Sequence, residues 1–171
     1  EKHCKGLKTI VFTASTENNV KVLDQFLSKG YNAKLYDSVN DTDLGRKEIV
    51  QWFENEPDAI LINTGIFTTG FSSNEVQAIM VNRATKSLSL WIQICGRGAR
   101  VSDKIYKENF VCVDLGGNFD RFNRFSDDTR NWEKIFYNGL GKEKAKNEPI
   151  EAVIECQNCG GLTSRRSNVC E

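Results

Sequence analysis

The sequence predicts an α/β fold, with a parallel sheet that carries helices on both faces and a short C-terminal extension. Strand-like and helix-like segments alternate five times along the chain, which is typical of parallel sheets with crossover helices. The strand-like segments are short apolar runs such as Ala59-Ile-Leu-Ile-Asn63, as expected for strands buried on both sides. Because the chain has 171 residues, it can bury the core of one such domain and add a small appendage.

The first half of the chain contains two strand-helix units. Lys8-Thr-Ile-Val-Phe12 predicts a buried strand, and Ser15 is then a candidate N-cap for a helix that ends at Gly30. The apolar positions of this helix are Val20, Leu23, Phe26 and Leu27. Ala33 to Tyr36 predicts the second strand. The second helix ends at the Glu56-Pro57 pair, because proline disfavours helical conformation in the residue before it.

The second half continues the alternation after the third strand, which is the run from Ala59 to Asn63. A further apolar strand is predicted from Val76 to Asn82, and a helix lies within the segment from Lys86 to Val101. Asn109-Phe-Val-Cys-Val-Asp-Leu115 is the last predicted strand. The five strands therefore alternate with helices throughout.

Charge and composition narrow the function classes. Lysine plus arginine and aspartate plus glutamate both number 23, so any contact with nucleic acid has to come from a local surface. No apolar run approaches the roughly 20 residues that span a bilayer, and the chain does not open with a signal-peptide pattern. We therefore expect a cytoplasmic protein without a membrane partner.

The segment from Lys86 to Val101 carries the most specific pattern in the sequence. If it is helical up to Gly96, its apolar side consists of Leu88, Leu90, Trp91 and Ile94. Gln93, Arg97 and Arg100 then fall near the helix end. Two guanidinium groups at this spacing suit a polyphosphate, because each offers always-charged donors in a planar fork. A solvated arginine pair is the alternative that the spacing alone leaves open.

This segment resembles motif VI of superfamily-two helicases, Gln-x-x-Gly-Arg-x-x-Arg, with Gln93, Gly96, Arg97 and Arg100 at the four fixed positions. The resemblance implies a RecA-like domain in which Arg97 and Arg100 act as catalytic arginine fingers toward the γ-phosphate of ATP. It also places Gln93 and Gly96 on the nucleotide side. The ATP itself would be held by a different RecA-like domain.

Two other segments resemble motifs of the same helicases, in the same order. Phe12 and the turn from Thr13 to Ser15 resemble motif IV, which implies contact with the nucleic-acid backbone through Thr13 and Ser15. The loop that begins with Thr64 and Gly65 resembles motif V, and these two residues would face the phosphates. Glycine permits close approach of the backbone, and threonine hydroxyls donate to phosphate oxygens.

The nucleotide-side part of motif V departs from the family pattern. Thr69-Gly70-Phe71 resembles the Thr-Gly-Phe-Asp form of one helicase branch, but Ser72 stands in place of the aspartate. Gly70 and Ser72 remain candidates for contact with the nucleotide, with serine a weaker acceptor than a carboxylate. Farther along, Asp114-Leu-Gly-Gly-Asn-Phe-Asp-Arg121 resembles a segment that follows motif VI in the same branch. Its residues either order the loop or meet a partner domain.

The six cysteines fall into two groups. Cys4, Cys95 and Cys112 are isolated in sequence, and we predict buried thiols at Cys95 and Cys112 because their neighbours are apolar. The others, Cys156, Cys159 and Cys170, predict a zinc-ribbon-like knuckle. A tetrahedral structural site needs four ligands, so we expect that the chain stops inside a second Cys-x-x-Cys. A reactive dithiol is the alternative.

The motifs together divide the chain into three parts. The predicted RecA-like domain spans residues 1–124, a helical extension and linker spans 125–150, and the zinc-ribbon-like tail spans 151–171. The sequence contains neither a Gly-x-x-x-x-Gly-Lys-Ser/Thr loop nor an Asp-Glu pair after a strand, which an ATPase needs to hold ATP and Mg²⁺. We therefore expect the chain to be inactive alone.

The resemblance implies the second RecA-like domain of an ATP-dependent helicase or translocase, of the kind used in DNA repair, recombination or phage replication. Its implied partners are an N-terminal RecA-like domain of the same protein and DNA, which we favour over RNA. The implied cofactors are ATP and Mg²⁺, with Zn²⁺ at the C-terminal cysteines. Two alternatives stay open: a non-enzymatic binding module for nucleic acid or protein, and the translocase subunit of a restriction enzyme.

Overall fold

The computed structural model describes residues 4–36, 43–65, 73–127, 129–138, 153–155 and 162–164. The elements in chain order are β1 (Thr9–Thr13), α1 (Thr16–Ser28), β2 (Ala33–Tyr36), α2 (Asp43–Asn55), β3 (Ile60–Asn63), β4 (Ala78–Asn82), α3 (Leu88–Gly98), β5 (Val111–Asp114), α4 (Asn118–Phe122), α5 (Trp132–Asn138), β6 (Val153–Glu155) and β7 (Leu162–Ser164). The chain division predicted from sequence stays a prediction.

Strands β1 to β5 form one parallel sheet in the order β2-β3-β1-β4-β5. The register places Val11 of β1 between Ile62 of β3 and Met80 of β4. Strands β6 and β7 form a separate antiparallel pair. The predicted parallel α/β sheet is confirmed, and its five predicted strands are the five observed.

Helices cover both faces of the sheet, as predicted. On one face, α1 packs Val22, Leu23 and Phe26 against alternate strand residues that include Val11 and Ile62. On the other face, α2 and α3 cover the intervening residues. That cluster contains Ile10, Leu61 and Ile79 from the sheet, with Phe53, Trp91 and Ile94 from the helices. Because successive strand residues point to opposite faces, short unbroken apolar runs are what both layers require.

Helix α1 begins as the sequence predicts. The Ser15 side chain accepts a hydrogen bond from the Asn18 N–H at 3.3 Å, which is the N-cap contact. The helix ends at Ser28, and Gly30 follows with φ +77°, a backbone conformation that glycine adopts without steric cost. Two of the apolar positions read from sequence are exposed, Val20 by 48% and Leu27 by 50%.

The prediction of buried thiols at Cys95 and Cys112 is correct for only one of the two residues. Cys95 of α3 is fully buried, but Cys112 of β5 is exposed, so the predicted buried thiol at Cys112 is wrong. The reason is the strand order. β5 pairs only with β4 and forms an edge of the sheet, so an apolar sequence around Cys112 does not ensure that the strand is covered.

Among the described residues, none of the helices has both the length and the apolar character needed to cross a membrane.

Candidate nucleotide and nucleic-acid interface

The residues predicted to contact a nucleic-acid strand lie together at the carboxyl edge of the sheet. Thr13 is the last residue of β1, and Thr64 directly follows β3, which pairs with β1. The Thr13 Oγ1 atom lies 3.3 Å from the Asn63 carbonyl oxygen and 3.4 Å from that of Ser15. Gly65 is exposed beside Thr64. The structure therefore brings the two motif-like turns side by side.

A residue that the sequence analysis did not identify, Asn19 of α1, connects these turns. Its side chain is 1% exposed. The Thr13 hydroxyl donates to Asn19 Oδ1, and Asn19 Nδ2 donates to Thr64 Oγ1 at 2.6 Å. A buried polar group has to be hydrogen-bonded, and here the partners are the ends of two strands. The available signal was a polar residue four positions after the N-cap Ser15, one helical turn on.

Arg83, just after β4, is the second residue that sequence reasoning missed. Its Nη1 atom donates to the Thr64 carbonyl oxygen at 2.9 Å. The Arg83 side chain is half-buried, and its contact fixes the main chain at the start of the motif V-like loop. Its position in the chain gives no sign of this contact, because Thr64 precedes Arg83 by 19 residues.

Helix α3 carries the motif VI-like residues. Ser87 caps it by accepting from the Leu90 N–H at 3.2 Å. Trp91 and Ile94 are buried, Leu88 and Leu90 are half-buried against the same core, and Gln93 is exposed on the other side. This matches the predicted apolar side. The helix continues beyond the predicted end, to Gly98.

The two arginines of the motif VI-like segment lie close together at the end of α3, and the charge of Arg100 acts on Arg97. Burial lowers the pKa of Arg97, and the positive charge of Arg100 lowers it further. Arg97 lies in the last helical turn and Arg100 just beyond it, both half-buried. Outside its own helical turn, no atom of the described residues lies within 4 Å of the position that a Cβ at Gly96 would occupy. Two guanidinium groups at this helix end could bind a polyanion through their N–H donors.

The far end of α3 lies away from the strand-contacting turns. Lys107 Nζ donates to the carbonyl oxygens of Gly98 and Val76, both at 2.9 Å. Val76 precedes β4, so this contact places the end of α3 toward the amino edge of the sheet. Thr13 and Thr64 lie at the carboxyl edge. The predicted strand-contacting residues and the predicted arginine fingers therefore lie at opposite edges of the sheet. Helix α3 runs between the two edges.

Several predicted site residues lie outside the described residues. These are Gly70 and Ser72 of the motif V-like loop and the three C-terminal cysteines, Cys156, Cys159 and Cys170. Strand β6 ends at Glu155 and β7 begins at Leu162. In the part of the chain that the structure describes, no group of three or more histidine, cysteine or acidic side chains could hold a metal ion.

Comparison with known proteins agrees with this arrangement. The family described as helicase conserved C-terminal domain matches residues 2–102, which include both motif-like turns and the whole of α3. The chain belongs to the helicase C-terminal domain family. The RecA-like fold predicted from sequence for this helicase C-terminal domain is confirmed, whereas the roles of the individual site residues stay predictions.

Two protein sequences are similar to this helicase C-terminal domain. "Putative ATP-dependent helicase IRC3" of Saccharomyces cerevisiae is 34% identical over 118 residues, which cover 68% of this chain and 17% of the yeast protein. A "51.5 kDa protein" of a Lactococcus phage (isolate 7-9) is 24% identical over 172 residues, 99% of this chain and 36% of the phage protein. The chain thus spans well under half the length of both relatives.

Solved structures show the same fold at low sequence identity. Domain 2 of the DEAD-box helicase Mss116p, solved with an RNA duplex, has a TM-score of 0.54 and 18% identity over 68% of this chain and 45% of that chain. The Escherichia coli DEAD-box protein SrmB, bound to a regulator of ribonuclease activity, has a TM-score of 0.54 and 15% identity, covering 68% of this chain and 65% of that one.

Proposed function

We propose that this helicase C-terminal domain works as the second RecA-like domain of an ATP-dependent nucleic-acid motor. In this proposal it supplies Arg97 and Arg100 to an ATP molecule held by a separate phosphate-loop domain. The turns at Thr13 to Ser15 and at Thr64 and Gly65 contact the backbone of the nucleic-acid strand. We propose DNA as that strand.

The arginine pair at the end of α3 is the observation that carries the proposal. Arg97 and Arg100 are half-buried, and burial together with the neighbouring charge lowers the pKa of Arg97. Guanidinium groups at this position can bind an anion through paired N–H donors. A nucleotide γ-phosphate provides that anion, and guanidinium groups stabilise the charge that develops on a transferred phosphoryl group. The open backbone at Gly96 leaves room for it.

The proposal includes ATP, Mg²⁺ and Zn²⁺, and the residues that would bind the two metal ions are not among those that the structure describes. The phosphate-loop domain would hold ATP with Mg²⁺, since the sequence itself has no phosphate loop. Zn²⁺ at Cys156, Cys159 and Cys170 remains a prediction, and metal analysis of the intact natural protein would test it. Gln93 would contact the nucleotide from the exposed side of α3.

The test is ATP hydrolysis by the intact natural protein, measured alone and with single-stranded DNA, duplex DNA or RNA. We expect a rate that nucleic acid stimulates, and we expect Arg100→Ala to lower the stimulated rate by at least about a hundredfold, a conservative bound for an arginine finger. Arg124→Ala is the matched control, because Arg124 is an exposed arginine outside the motif. Its rate should stay close to that of the native protein.

Three results would decide against parts of the proposal. If the native protein hydrolyses no ATP, the motor assignment fails and a binding module becomes the better explanation. If Arg100→Ala is as fast as the native protein, the arginine-finger role fails. Stimulation by RNA but not by DNA would replace DNA as the strand while leaving the motor assignment in place.

A further inference from the structure

A buried asparagine, Asn118, holds the connection between β4 and α3. Its side chain is fully buried and makes two hydrogen bonds to this connection and one to the end of β5. Asn118 Nδ2 donates to the Arg83 carbonyl oxygen and to Asp114 Oδ1, both at 2.8 Å, and Asn118 Oδ1 accepts from the Thr85 N–H at 2.8 Å. The side chain therefore ties the chain after β4 to the end of β5.

The residues around Asn118 add hydrogen bonds between the same two segments, the chain after β4 and the end of β5. Arg121 Nη1 donates to the Thr85 carbonyl oxygen at 2.7 Å, so both backbone polar groups of Thr85 are held. Asp114 accepts from the backbone N–H groups of Gly116 at 3.1 Å and Phe119 at 2.7 Å. A Cβ at Gly116 would lie 2.1 Å from the Arg83 carbonyl oxygen. Of the two roles that the sequence left open for this segment, these contacts support ordering of the loop.

Arg83 connects these hydrogen-bonded segments to the motif V-like loop. Its main chain is bound by Asn118, while its guanidinium group donates to the Thr64 carbonyl oxygen at 2.9 Å. Thr64 in turn accepts from Asn19 at its side chain. Any displacement of the Thr64 main chain by a bound strand therefore reaches Arg83 through a direct hydrogen bond.

The same hydrogen-bond network includes the first residues of α3. The Thr85 hydroxyl accepts from the Ser87 N–H at 3.0 Å, and Ser87 is the N-cap. The helix has 11 residues, which makes it about 16 Å long. Because packed elements shift between discrete arrangements rather than deforming continuously, a shift at Ser87 is expected to displace Arg97 at the opposite end.

We propose that Asn118 and Arg83 are positioning residues that couple strand contact at Thr64 to the placement of the helix carrying Arg97 and Arg100. This inference rests on the proposed function, and it adds Arg83 and Asn118, which lie outside the segments that resemble motifs IV, V and VI. Neither residue touches the nucleotide in this scheme. Each acts through the hydrogen bonds that join the motif V-like loop, the β4–α3 connection and the α3 N-cap.

The experiment compares two rates in the intact natural protein: ATP hydrolysis without nucleic acid, and ATP hydrolysis with saturating single-stranded DNA. The variants are Asn118→Ala, which removes the central side chain, and Arg83→Met, which keeps the aliphatic stem but cannot donate to Thr64. We expect the ratio of the two rates to fall at least about fivefold in each variant. The rate without DNA should stay within about threefold of the native rate.

Asp120→Asn is the matched control, since Asp120 is exposed on α4 beside the buried Asn118. Its ratio should equal that of the native protein. Thermal unfolding establishes that each variant is folded, and Arg83→Met keeps the test decisive if Asn118→Ala unfolds. Arg100→Ala should lower both rates, unlike either positioning variant.

The outcomes separate this inference from the proposed function. A stimulated native protein with unchanged ratios in Arg83→Met and Asn118→Ala overturns the coupling role but leaves the motor assignment intact. If the rates with and without DNA fall together, the ratio is preserved and the two residues have a structural role only. That result also overturns the coupling role. A native protein without ATP hydrolysis removes the proposed function, and the inference with it.

Discussion

At the residue scale, the paired thiols of Cys95 and Cys112 are predicted to differ in reactivity. A hydrogen bond from the Cys95 thiol lowers the pKa of Cys112, against the opposing effects of partial desolvation of this exposed residue and of Asp114. The same hydrogen bond raises the pKa of Cys95, and its burial raises it further. Only the thiolate is nucleophilic. We therefore expect iodoacetamide at neutral pH to alkylate exposed Cys112 well before Cys95, as followed by peptide-resolved mass spectrometry of the folded protein.

The pH dependence of this labelling tests its cause. Because the folded-state pKa of Cys112 is lowered, its alkylation rate should reach half-maximum below the pH of about 8.5 that is typical of a free cysteine. Cys95→Ala removes the donor, so that midpoint should move to higher pH. Cys95→Ser retains an O–H donor and serves as the matched control. Labelling of Cys95 as fast as Cys112 in the native fold would contradict the assignment of donor and acceptor.

At the scale of one element, the two glycines near the end of α3 have different roles. A Cβ at Gly98 would lie 2.4 Å from Cδ2 of Phe110, whose ring packs against the core and stacks near Phe125 with centroids 5.5 Å apart. A Cβ at Gly96 would meet no atom of the described residues within 4 Å outside its own helix. The packing of Phe110 therefore requires a glycine at position 98, whereas the structure leaves space at Gly96 for a ligand.

This contrast predicts opposite effects of two identical substitutions. Gly98→Ala should lower the free energy of unfolding by about 1–3 kcal/mol through overpacking. Gly96→Ala should leave it unchanged or raise it by up to about 1 kcal/mol, because alanine is the better helix former. If a nucleotide approaches the Gly96 backbone, Gly96→Ala should still slow ATP hydrolysis by the intact protein. Urea unfolding and steady-state hydrolysis measure the two effects, and a destabilised Gly96→Ala would contradict this division of roles.

The elements were predictable from sequence where local patterns decide them. Buried strands need only short apolar runs, and Ser15 and Ser87 both cap helices in the structure, although the sequence analysis named only Ser15. The position of each strand within the sheet was not predictable. The run around Cys112 is as apolar as a central strand, yet β5 forms an edge, because pairing between distant segments sets strand order.

The supporting contacts of the site were not predictable for the same reason. Asn118 and Thr85 are 33 positions apart, and Arg83 and Thr64 are 19 apart. A buried hydrogen bond of this kind depends on where the fold brings two side chains, and a single sequence contains no record of that distance. The fixed spacing from Gln93 to Arg100, by contrast, lies within one helix and the two residues after it. Motif-like residues could therefore be found, whereas their supports required the structure.

At the scale of the whole molecule, an ion pair between buried Lys8 and partly buried Glu75 joins distant segments at the amino edge of the sheet. Lys8 Nζ, in a side chain 4% exposed, lies 2.8 Å from Glu75 Oε2 and donates to the Glu54 carbonyl oxygen at 2.9 Å. Lys8 precedes β1, Glu54 lies in α2 and Glu75 lies ahead of β4. Lys104, on the segment after α3, reaches Glu75 Oε1 at 3.1 Å from a side chain that is 74% exposed.

The pair predicts how stability depends on pH. The hydrogen bond from Lys8 lowers the pKa of Glu75, burial opposes it, and Lys104 contributes a further lowering. A lowered folded-state pKa stabilises the protein above the unfolded value of about 4.3, and this contribution is lost as the pH falls through the folded pKa. Glu75→Gln should therefore lower the free energy of unfolding by about 3 kcal/mol at pH 7, because it removes the carboxylate that balances the buried Lys8 charge and leaves the Glu54 carbonyl oxygen as an acceptor.

Urea unfolding of native protein and variant, repeated from pH 7 to pH 3, measures this difference directly. The difference should be constant from pH 7 down to about pH 5 and should narrow below about pH 4.3, as the native Glu75 becomes protonated. Other carboxylates titrate in both proteins, so their contribution cancels in the difference. Lys104→Gln breaks only the exposed half of the cluster and should cost less than about 1 kcal/mol. A Glu75→Gln effect that is equal at every pH, or no larger than that of Lys104→Gln, would show that the ion pair does not hold these segments together.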